Sequence, residues 1–191
     1  MKYRIYIIIA LLCLTTAANA QTIKELFTTL PDTILPSLSK NDRLDMVDLI
    51  ENNMENEVTN RLRGKSRLTM LTDNLAKIHL SELTEVQLCK LPTPDSYLIC
   101  VIHSVKTDAW DSTTKFYHPD WTPSTYKLST HSSGNILMTF SYYNFTDDTT
   151  LATTVSDLRN NDGKIVWKDG GTVNIKWNKE QQRFLKDESM P

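Results

Sequence analysis

The chain has 191 residues and a formal net charge of −2, with 40% hydrophobic, 8% aromatic and 23% charged residues. These values are typical of a globular protein, and the length predicts one domain of ordinary size. The near-neutral charge, without a basic run, argues against a dedicated nucleic-acid-binding protein. Because the chain has only five glycines, glycine-rich nucleotide-binding loops and the G-x-S-x-G motif of hydrolases are excluded.

The first twenty residues have the pattern of a secretory signal peptide. Lys2 and Arg4 precede an apolar run, and Ala18 and Ala20 are the small residues that a signal peptidase needs before its cleavage point. The run is shorter than the about 20 apolar residues that span a bilayer, and no later stretch is as apolar. We therefore expect that residues 1–20 are removed and that residues 21–191, beginning at Gln21, form a single exported domain without a transmembrane segment.

Helical patterns dominate the start of this domain. Thr22 is a candidate N-cap for a helical turn that ends near Pro31. Apolar residues three or four apart then predict one long amphipathic helix from about Asn41 to Arg61, which Gly64 terminates. Its predicted buried face comprises Leu44, Val47, Ile50, Met54 and Val58, and its predicted solvent-exposed face carries Asp45, Asp48 and Glu55.

After Gly64 the sequence alternates short apolar segments with turn residues, which is typical of antiparallel strands. Residues 97–105 are apolar at both alternating sets of positions, which predicts a central strand covered on both faces. The fold class is therefore α+β, with N-terminal helices packed on a mostly antiparallel meander sheet. The predicted strands are residues 67–72, 75–80, 84–91, 97–105, 112–117, 135–145, 151–156, 164–168, 172–177 and 182–186.

The polar residues lack the spacing of a catalytic or metal-binding motif. The histidines include no H-E-x-x-H pair, which excludes that class of zinc protease. His118 lies near Asp111 and Asp120 in sequence, but such a grouping arises often by chance. We therefore predict no catalytic residue, no cofactor and no metal ligand.

Two cysteines remain after removal of the signal peptide, and they lie on the two strands of one predicted hairpin. If Leu91 faces Leu98, Cys89 lies directly opposite Cys100 and can form a disulfide with it. If Leu91 faces Tyr97 instead, the apolar residues are better grouped and a five-residue loop joins the strands. We favour this second register and expect two buried, unpaired thiols.

Aromatic residues cluster among polar residues between positions 110 and 126. Aromatic rings beside polar groups form platforms for sugars or for a partner protein, although they also cover sheet edges and fill cores. The candidate ligand or partner surface comprises Trp110, Tyr117, Trp121 and Tyr126.

Several short motifs, most of them in the first half of the domain, resemble one known family. Their order resembles that of the exported Bacteroidales proteins grouped as domain of unknown function 3256. The resemblance implies a periplasmic or outer-membrane-associated setting, and it brings no activity and no catalytic residue. The motifs are Ile34-Leu35-Pro36-x-Leu38, Asn41-x-Arg43-Leu44-Asp45-Met46-x-Asp48, Glu57-Val58-x-Asn60, Gly64-x-Ser66, Leu71-Thr72-Asp73-Asn74, Leu98-Ile99-Cys100-Val101 and Lys176-Trp177-Asn178.

These observations predict an exported, non-catalytic domain of the cell envelope that binds an envelope protein or a glycan. The alternative is a periplasmic hydrolase that acts on polysaccharide or peptide through residues dispersed along the sequence. A deep cleft with two close carboxylates, or with a histidine beside a cysteine or aspartate, would favour the hydrolase. A flat aromatic patch would favour binding.

Overall fold

The structure, a computed structural model, describes residues 21–128, 136–161 and 164–187. The predicted signal peptide therefore lies outside the described residues. Within them, no helix is long and apolar enough to cross a membrane. The described elements are α1 Ile23–Thr29, α2 Lys40–Glu51, β1 Glu57–Thr59, β2 Lys65–Leu71, β3 Leu75–Ser81, β4 Thr84–Pro92, β5 Tyr97–Lys106, β6 Trp110–Tyr117, β7 Ile136–Phe145, β8 Thr150–Asn161, β9 Lys164–Asn178 and β10 Arg183–Lys186.

Both helices begin at a capping box. The Thr22 hydroxyl accepts a hydrogen bond from the Glu25 backbone N–H, and the Glu25 carboxylate accepts one from the Thr22 backbone N–H. Ser39 and Asp42 make the same reciprocal pair at the start of α2. These bonds satisfy backbone donors that the first helical turn leaves without partners.

Helix α2 is shorter than predicted, and its predicted apolar face is only partly buried. Val47 is buried and Ile50 packs against the core, as expected. It ends at Glu51 rather than near Arg61, because the chain turns at Asn53 with φ of 53° and enters β1. Leu44 and Met54, which the pattern assigned to the core, are 44% and 60% exposed. The predicted acidic face is confirmed as solvent-exposed. The buried residues of α2 are Arg43, Met46 and Val47.

Arg43 is buried on α2 although it is charged, which the apolar pattern did not predict. It donates hydrogen bonds to the backbone carbonyls of Leu38 at 2.7 Å and Leu30 at 2.6 Å, and it pairs with Asp32 at 3.3 Å. A buried cation is tolerated only when such partners surround it. A hydrophobicity pattern cannot predict this, because arginine counts as a solvent-exposed residue.

The strands form two antiparallel meander sheets rather than the single sheet that the sequence predicted. One sheet has six strands in the order β1 to β6, and the other has four in the order β10-β9-β8-β7. Backbone pairing stops between β6 and β7, where a long connection replaces a hairpin turn. The broad α+β class is confirmed, with far more of the chain in strands than in helices.

Strand β9 joins two segments that the sequence separated by a predicted turn at Asp169-Gly170-Gly171. The register of β9 against β8 shifts between Thr154 and Ser156, which marks a bulge at this point. Gly171 has φ of 83°, a conformation that a residue without a Cβ adopts at no steric cost. The chain therefore continues along the sheet instead of reversing.

The helices and the second sheet cover opposite faces of the six-stranded sheet. On the helix side, Phe27 of α1 and Met46 of α2 pack against residues such as Leu88 and Ile99 of the central strands. On the other side, the alternate residues of β4 and β5 pack against the second sheet. The residues of this second core are Leu75, Cys89, Leu91, Leu98, Cys100, Ile102, Phe116, Tyr143, Phe145, Leu151 and Trp177.

The register of β4 and β5 is the one that the sequence argument did not favour. Leu91 pairs with Leu98, and Cys89 lies directly opposite Cys100. A tight turn sets this register, since the Thr93 backbone N–H donates to the carbonyl of Ser96 at 2.9 Å. Both cysteines are nonetheless buried free thiols, as expected.

The two thiols lie in an apolar environment that keeps them protonated. The Cys89 thiol donates a hydrogen bond to the Asp148 carbonyl at 3.4 Å. Burial raises the pKa of both thiols well above its usual value. Because the thiolate is the reactive form, neither cysteine is suited to nucleophilic chemistry.

Candidate binding site

The structure distributes the four aromatic residues of the predicted surface along β6 and the connection after it. Trp110 lies at the start of β6, where its ring is 5.3 Å from that of Tyr142. Tyr117 lies at the other end of β6, and its ring is 5.8 Å from that of Trp121. Tyr117 and Trp121 pack on the helix side of the six-stranded sheet, whereas Tyr126 packs against the opposite face. The four residues therefore do not form one continuous platform.

Tyr126 connects three parts of the molecule. Its ring lies 4.6 Å from that of Phe116 on β6 and 5.6 Å from that of Trp177 on β9, both nearly edge to face. Its hydroxyl accepts a hydrogen bond from the Phe184 backbone N–H of β10 at 3.3 Å. Burial raises the pKa of Tyr126, while the nearby Arg183 charge acts in the opposite direction. Tyr126 therefore fixes the segment after β6 against the second sheet.

Two surface recesses meet at Tyr126 and Lys127. The smaller has a volume of about 330 Å³ and follows the end of β6. The larger, with a volume of about 610 Å³, is hereafter called the groove. Its volume is within the range of sites that bind small molecules. The groove is lined by Tyr126, Lys127, Leu128, Val173, Ile175, Arg183, Phe184 and Lys186.

The floor of the groove continues the second core to the surface. Val173, Ile175 and Trp177 alternate along β9 and therefore share one face of the strand. Trp177 is buried, and its indole N–H donates to the Pro92 carbonyl at 2.6 Å. Ile175 is half-buried beside Phe184, and Val173 is 46% exposed. An apolar stripe thus begins in the core and ends open to solvent.

The rim of the groove is positively charged. It carries Lys127, Arg183 and Lys186, and none of the described lining residues is acidic. Among the described residues, these three cations have no ion-pair partner. Asp187 follows Lys186 in the chain but does not line the groove. The groove therefore presents uncompensated positive charge in a chain whose net charge is negative.

The two acidic residues of the β7–β8 turn have structural hydrogen bonds. Asp147 accepts bonds from the backbone N–H groups of Thr149 and Thr150, which cap the β7–β8 turn. The Asp148 carboxylate accepts bonds from the side chains of Thr72 and Asn74. No group of three or more histidine, cysteine or acidic residues in the described part of the chain is placed to hold a metal ion. The deep acidic cleft that would favour a hydrolase is not formed by these carboxylates.

Most residues of the groove were missed by the sequence analysis, which identified only Tyr126. Leu128, Ile175 and Phe184 look like ordinary core positions, and isolated lysines and arginines look like solvent-exposed residues. The connecting segment and the β9–β10 hairpin are distant in sequence, so no local spacing brings them together. The signal available in the sequence was the alternation of Val173, Ile175 and Trp177. This alternation predicts one apolar face of the strand, but it does not predict that part of this face is exposed to solvent.

The fold and the groove together define a small two-sheet antiparallel domain with N-terminal helices. The family model described as "Protein of unknown function (DUF3256)" matches residues 15–163, and the chain belongs to this family. The chain is also similar to a solved structure described as "Structure of a domain of an uncharacterized protein from Porphyromonas gingivalis W83". The identity is 16% and the TM-score 0.64, over 87% of this chain and 98% of that one, which shows a shared fold. No curated protein matches the chain.

Proposed function

We propose that this chain is an exported, non-catalytic binding domain of the cell envelope, and that the groove beside Tyr126 is its binding site. The observation that carries the proposal is the open apolar floor, where Val173 is 46% exposed at the end of a stripe that begins in the core. Exposed apolar surface with a polar rim is typical of a site that a ligand or partner covers. Binding is favoured over hydrolysis because, among the lining residues that the structure describes, none has a carboxylate or an imidazole side chain.

Export is supported by the signal-peptide pattern, and the contacts of Gln21 are compatible with cleavage before this residue. Gln21 accepts a hydrogen bond from the Tyr97 hydroxyl at 3.0 Å through its side chain and one from the Lys90 ammonium at 2.9 Å through its carbonyl. A chain that begins at Gln21 retains these contacts. Intact-mass measurement of the exported protein tests this part of the proposal. A lipid-modified species, or retention of residues 1–20, would contradict it.

Binding in the groove is tested with Nile red, an uncharged apolar dye whose fluorescence rises in an apolar site. The test variant is Val173→Asp, which places a carboxylate on the groove floor. Val105→Asp is the matched control, because Val105 is also a strand valine, is 47% exposed and lies outside the groove. Circular dichroism confirms that both variants fold.

We expect that Val173→Asp weakens dye binding by about tenfold or more, equivalent to at least about 1.4 kcal/mol, and that Val105→Asp leaves it unchanged. The reason is that an ionised carboxylate strongly disfavours an apolar ligand at the same place. Equal dye binding by the two variants, or no binding by the unmodified protein, would refute the groove as the binding site.

A further inference from the structure

We infer that the ligand of the groove is an amphiphile with a phosphate monoester head. Its hydrocarbon chain lies on the apolar floor, and its head lies at the rim that carries Lys127, Arg183 and Lys186. This inference rests on the proposed function, since it names the ligand class of the same site. It is carried by the combination of an open apolar floor and three cations on the rim.

The floor accepts a hydrocarbon chain because its residues are apolar and partly exposed. Leu128, Ile175 and Phe184 pack on the second core but are not fully covered, and Val173 extends the same surface outward. A ligand with a hydrocarbon chain removes this surface from water, which is favourable in proportion to the apolar area that it covers. A wholly polar ligand, such as a free sugar phosphate, would leave the floor exposed.

The rim favours a phosphate monoester over a head of lower charge. Such a group carries about −1.5 to −2 charges at neutral pH and three strong acceptor oxygens. The Arg183 Nε donates to the Gln181 side chain at 2.8 Å, which orients the guanidinium, and the described residues provide no partner for its terminal nitrogens. Arginine binds phosphate through two parallel hydrogen bonds, and the lysines add compact positive charges. A carboxylate head would neutralise fewer of these cations.

The recess between α1 and the β2–β3 hairpin provides a contrast. Its volume is about 380 Å³, and its lining includes Lys24, Glu51 and Asp73. Lys24 and Glu51 form an ion pair at 2.7 Å, so the cation there is already compensated. This recess therefore has no charge preference comparable to that of the groove.

The inference is tested by displacement of Nile red with four amphiphiles of equal chain length, each below its micelle concentration. They are dodecyl phosphate, tridecanoate, dodecyl maltoside and dodecyltrimethylammonium, which share a dodecyl chain and differ only in head group. We expect dodecyl phosphate to displace the dye at the lowest concentration, tridecanoate to follow, and the uncharged and cationic amphiphiles to be weakest. Added salt should weaken dodecyl phosphate most, because its binding depends on exposed charges.

A pair of double variants distinguishes an effect of the rim charges on ligand binding from an effect of the protein's net charge. Lys127→Glu with Lys186→Glu reverses the charge of the rim, and Lys40→Glu with Lys179→Glu makes the same change in net charge at exposed positions outside the groove. We expect the first variant to lose dodecyl phosphate affinity by about tenfold or more while it keeps Nile red binding. The second variant should bind both probes as the unmodified protein does.

The outcomes distinguish this inference from the proposed function. Equal affinity for dodecyl phosphate and tridecanoate, or for dodecyl phosphate and the maltoside, would overturn the phosphate head group while the groove remains the binding site. Equal loss of affinity in the two double variants would also overturn it, because the rim would then have no specific part. Failure of Nile red to bind the unmodified protein would instead overturn the proposed function itself.

Discussion

The two faces of strands β4 and β5 are both apolar, but they are covered in different ways. On one face, α1 and α2 enclose a core that includes Phe27 and Met46, both fully buried. On the other face, Phe145 and Trp177 of the second sheet are buried, but Val173 of the same sheet is partly exposed. The comparison shows that a face enclosed by helices becomes closed core, whereas a face shared between two sheets can remain open at one end and form a site.

The helices and the second sheet also differ in the contacts that hold them against the six-stranded sheet. The helix side is held by apolar packing, with Arg43 bound to the carbonyls of the chain before α2. The second sheet is held in addition by polar side chains that bind the backbone of β7. The Gln87 amide donates to the Tyr143 carbonyl and accepts from the Phe145 N–H, and the Ser112 hydroxyl accepts from the Tyr143 N–H. These side chains satisfy backbone groups of Tyr143 and Phe145 at the edge of β7, with which no other strand of the described residues pairs.

The largest expected effect on the unfolding free energy comes from removing a phenyl ring from either core. Phe27→Ala changes the core on the helix side, and Phe145→Ala changes the core between the two sheets. Each phenyl ring is fully buried, so each change should cost about 3–5 kcal/mol of unfolding free energy through lost burial and a residual cavity. Urea denaturation measures this cost. Only Phe145→Ala should also alter Nile red binding, because Phe145 lies 6.2 Å from the Phe184 ring of the groove.

Leu44→Ala is the control for this experiment. Leu44 is 44% exposed on α2, although its spacing resembles that of a core residue. We expect a cost below about 1 kcal/mol. A cost for Leu44→Ala equal to that for Phe27→Ala would show that the helix side is packed differently from the structure.

The next largest effect on the unfolding free energy concerns the hydrogen bonds between Gln87 and the backbone of β7, which connect the two sheets. Gln87→Met keeps the length of a buried side chain but removes the partners of the Tyr143 carbonyl and the Phe145 N–H. We expect a loss of about 2–3 kcal/mol, since each unsatisfied buried backbone group costs about 1–3 kcal/mol. Hydrogen exchange at the Phe145 amide should accelerate in the variant. An unchanged exchange rate and an unchanged unfolding midpoint would show that apolar packing alone holds the second sheet.

A smaller effect tests the orientation of α2. Val47 is buried and Asp48 is exposed on the adjacent position of the helix. Val47→Ala should cost about 1–3 kcal/mol, and Asp48→Ala should change the unfolding free energy by no more than about 0.5 kcal/mol. Chemical denaturation of both variants checks this. Similar costs for the two would reverse the assignment of the buried face.

The smallest expected effect is a pH dependence at the central strand. Burial, together with the Lys115 charge, lowers the pKa of His103 from its ordinary value of 6.5. The unfolded chain therefore binds this proton at higher pH than the folded chain does, so stability decreases as the pH falls below about 6.5. His103→Gln should reduce the decrease measured between about pH 7 and about pH 5 by urea denaturation. A variant with the same pH profile as the unmodified protein would contradict this.

The strands were predictable because their signals are local. Alternating apolar positions between turn residues predicted β3, β4 and β5 to within a residue or two. The double-sided apolar pattern of residues 97–105 correctly indicated a strand covered on both faces, and the capping residue Thr22 was also identified. The end of α2 was predicted wrongly, because apolar residues at helical spacing continue into β1, where the chain is extended.

The sequence by itself determined the α+β class, the succession of helices and then strands, and the apolar character of both central faces, because propensity, periodicity and turn chemistry act over neighbouring residues. Only the tertiary structure decided that the strands divide into two sheets, that Arg43 is buried, and that Cys89 lies opposite Cys100. It also decided that Tyr126 and the β9–β10 hairpin meet at the groove. Each of these outcomes depends on contacts between residues that are far apart in the chain. The same local pattern is therefore compatible with a closed core or with an open site, and the packing of the elements decides between them.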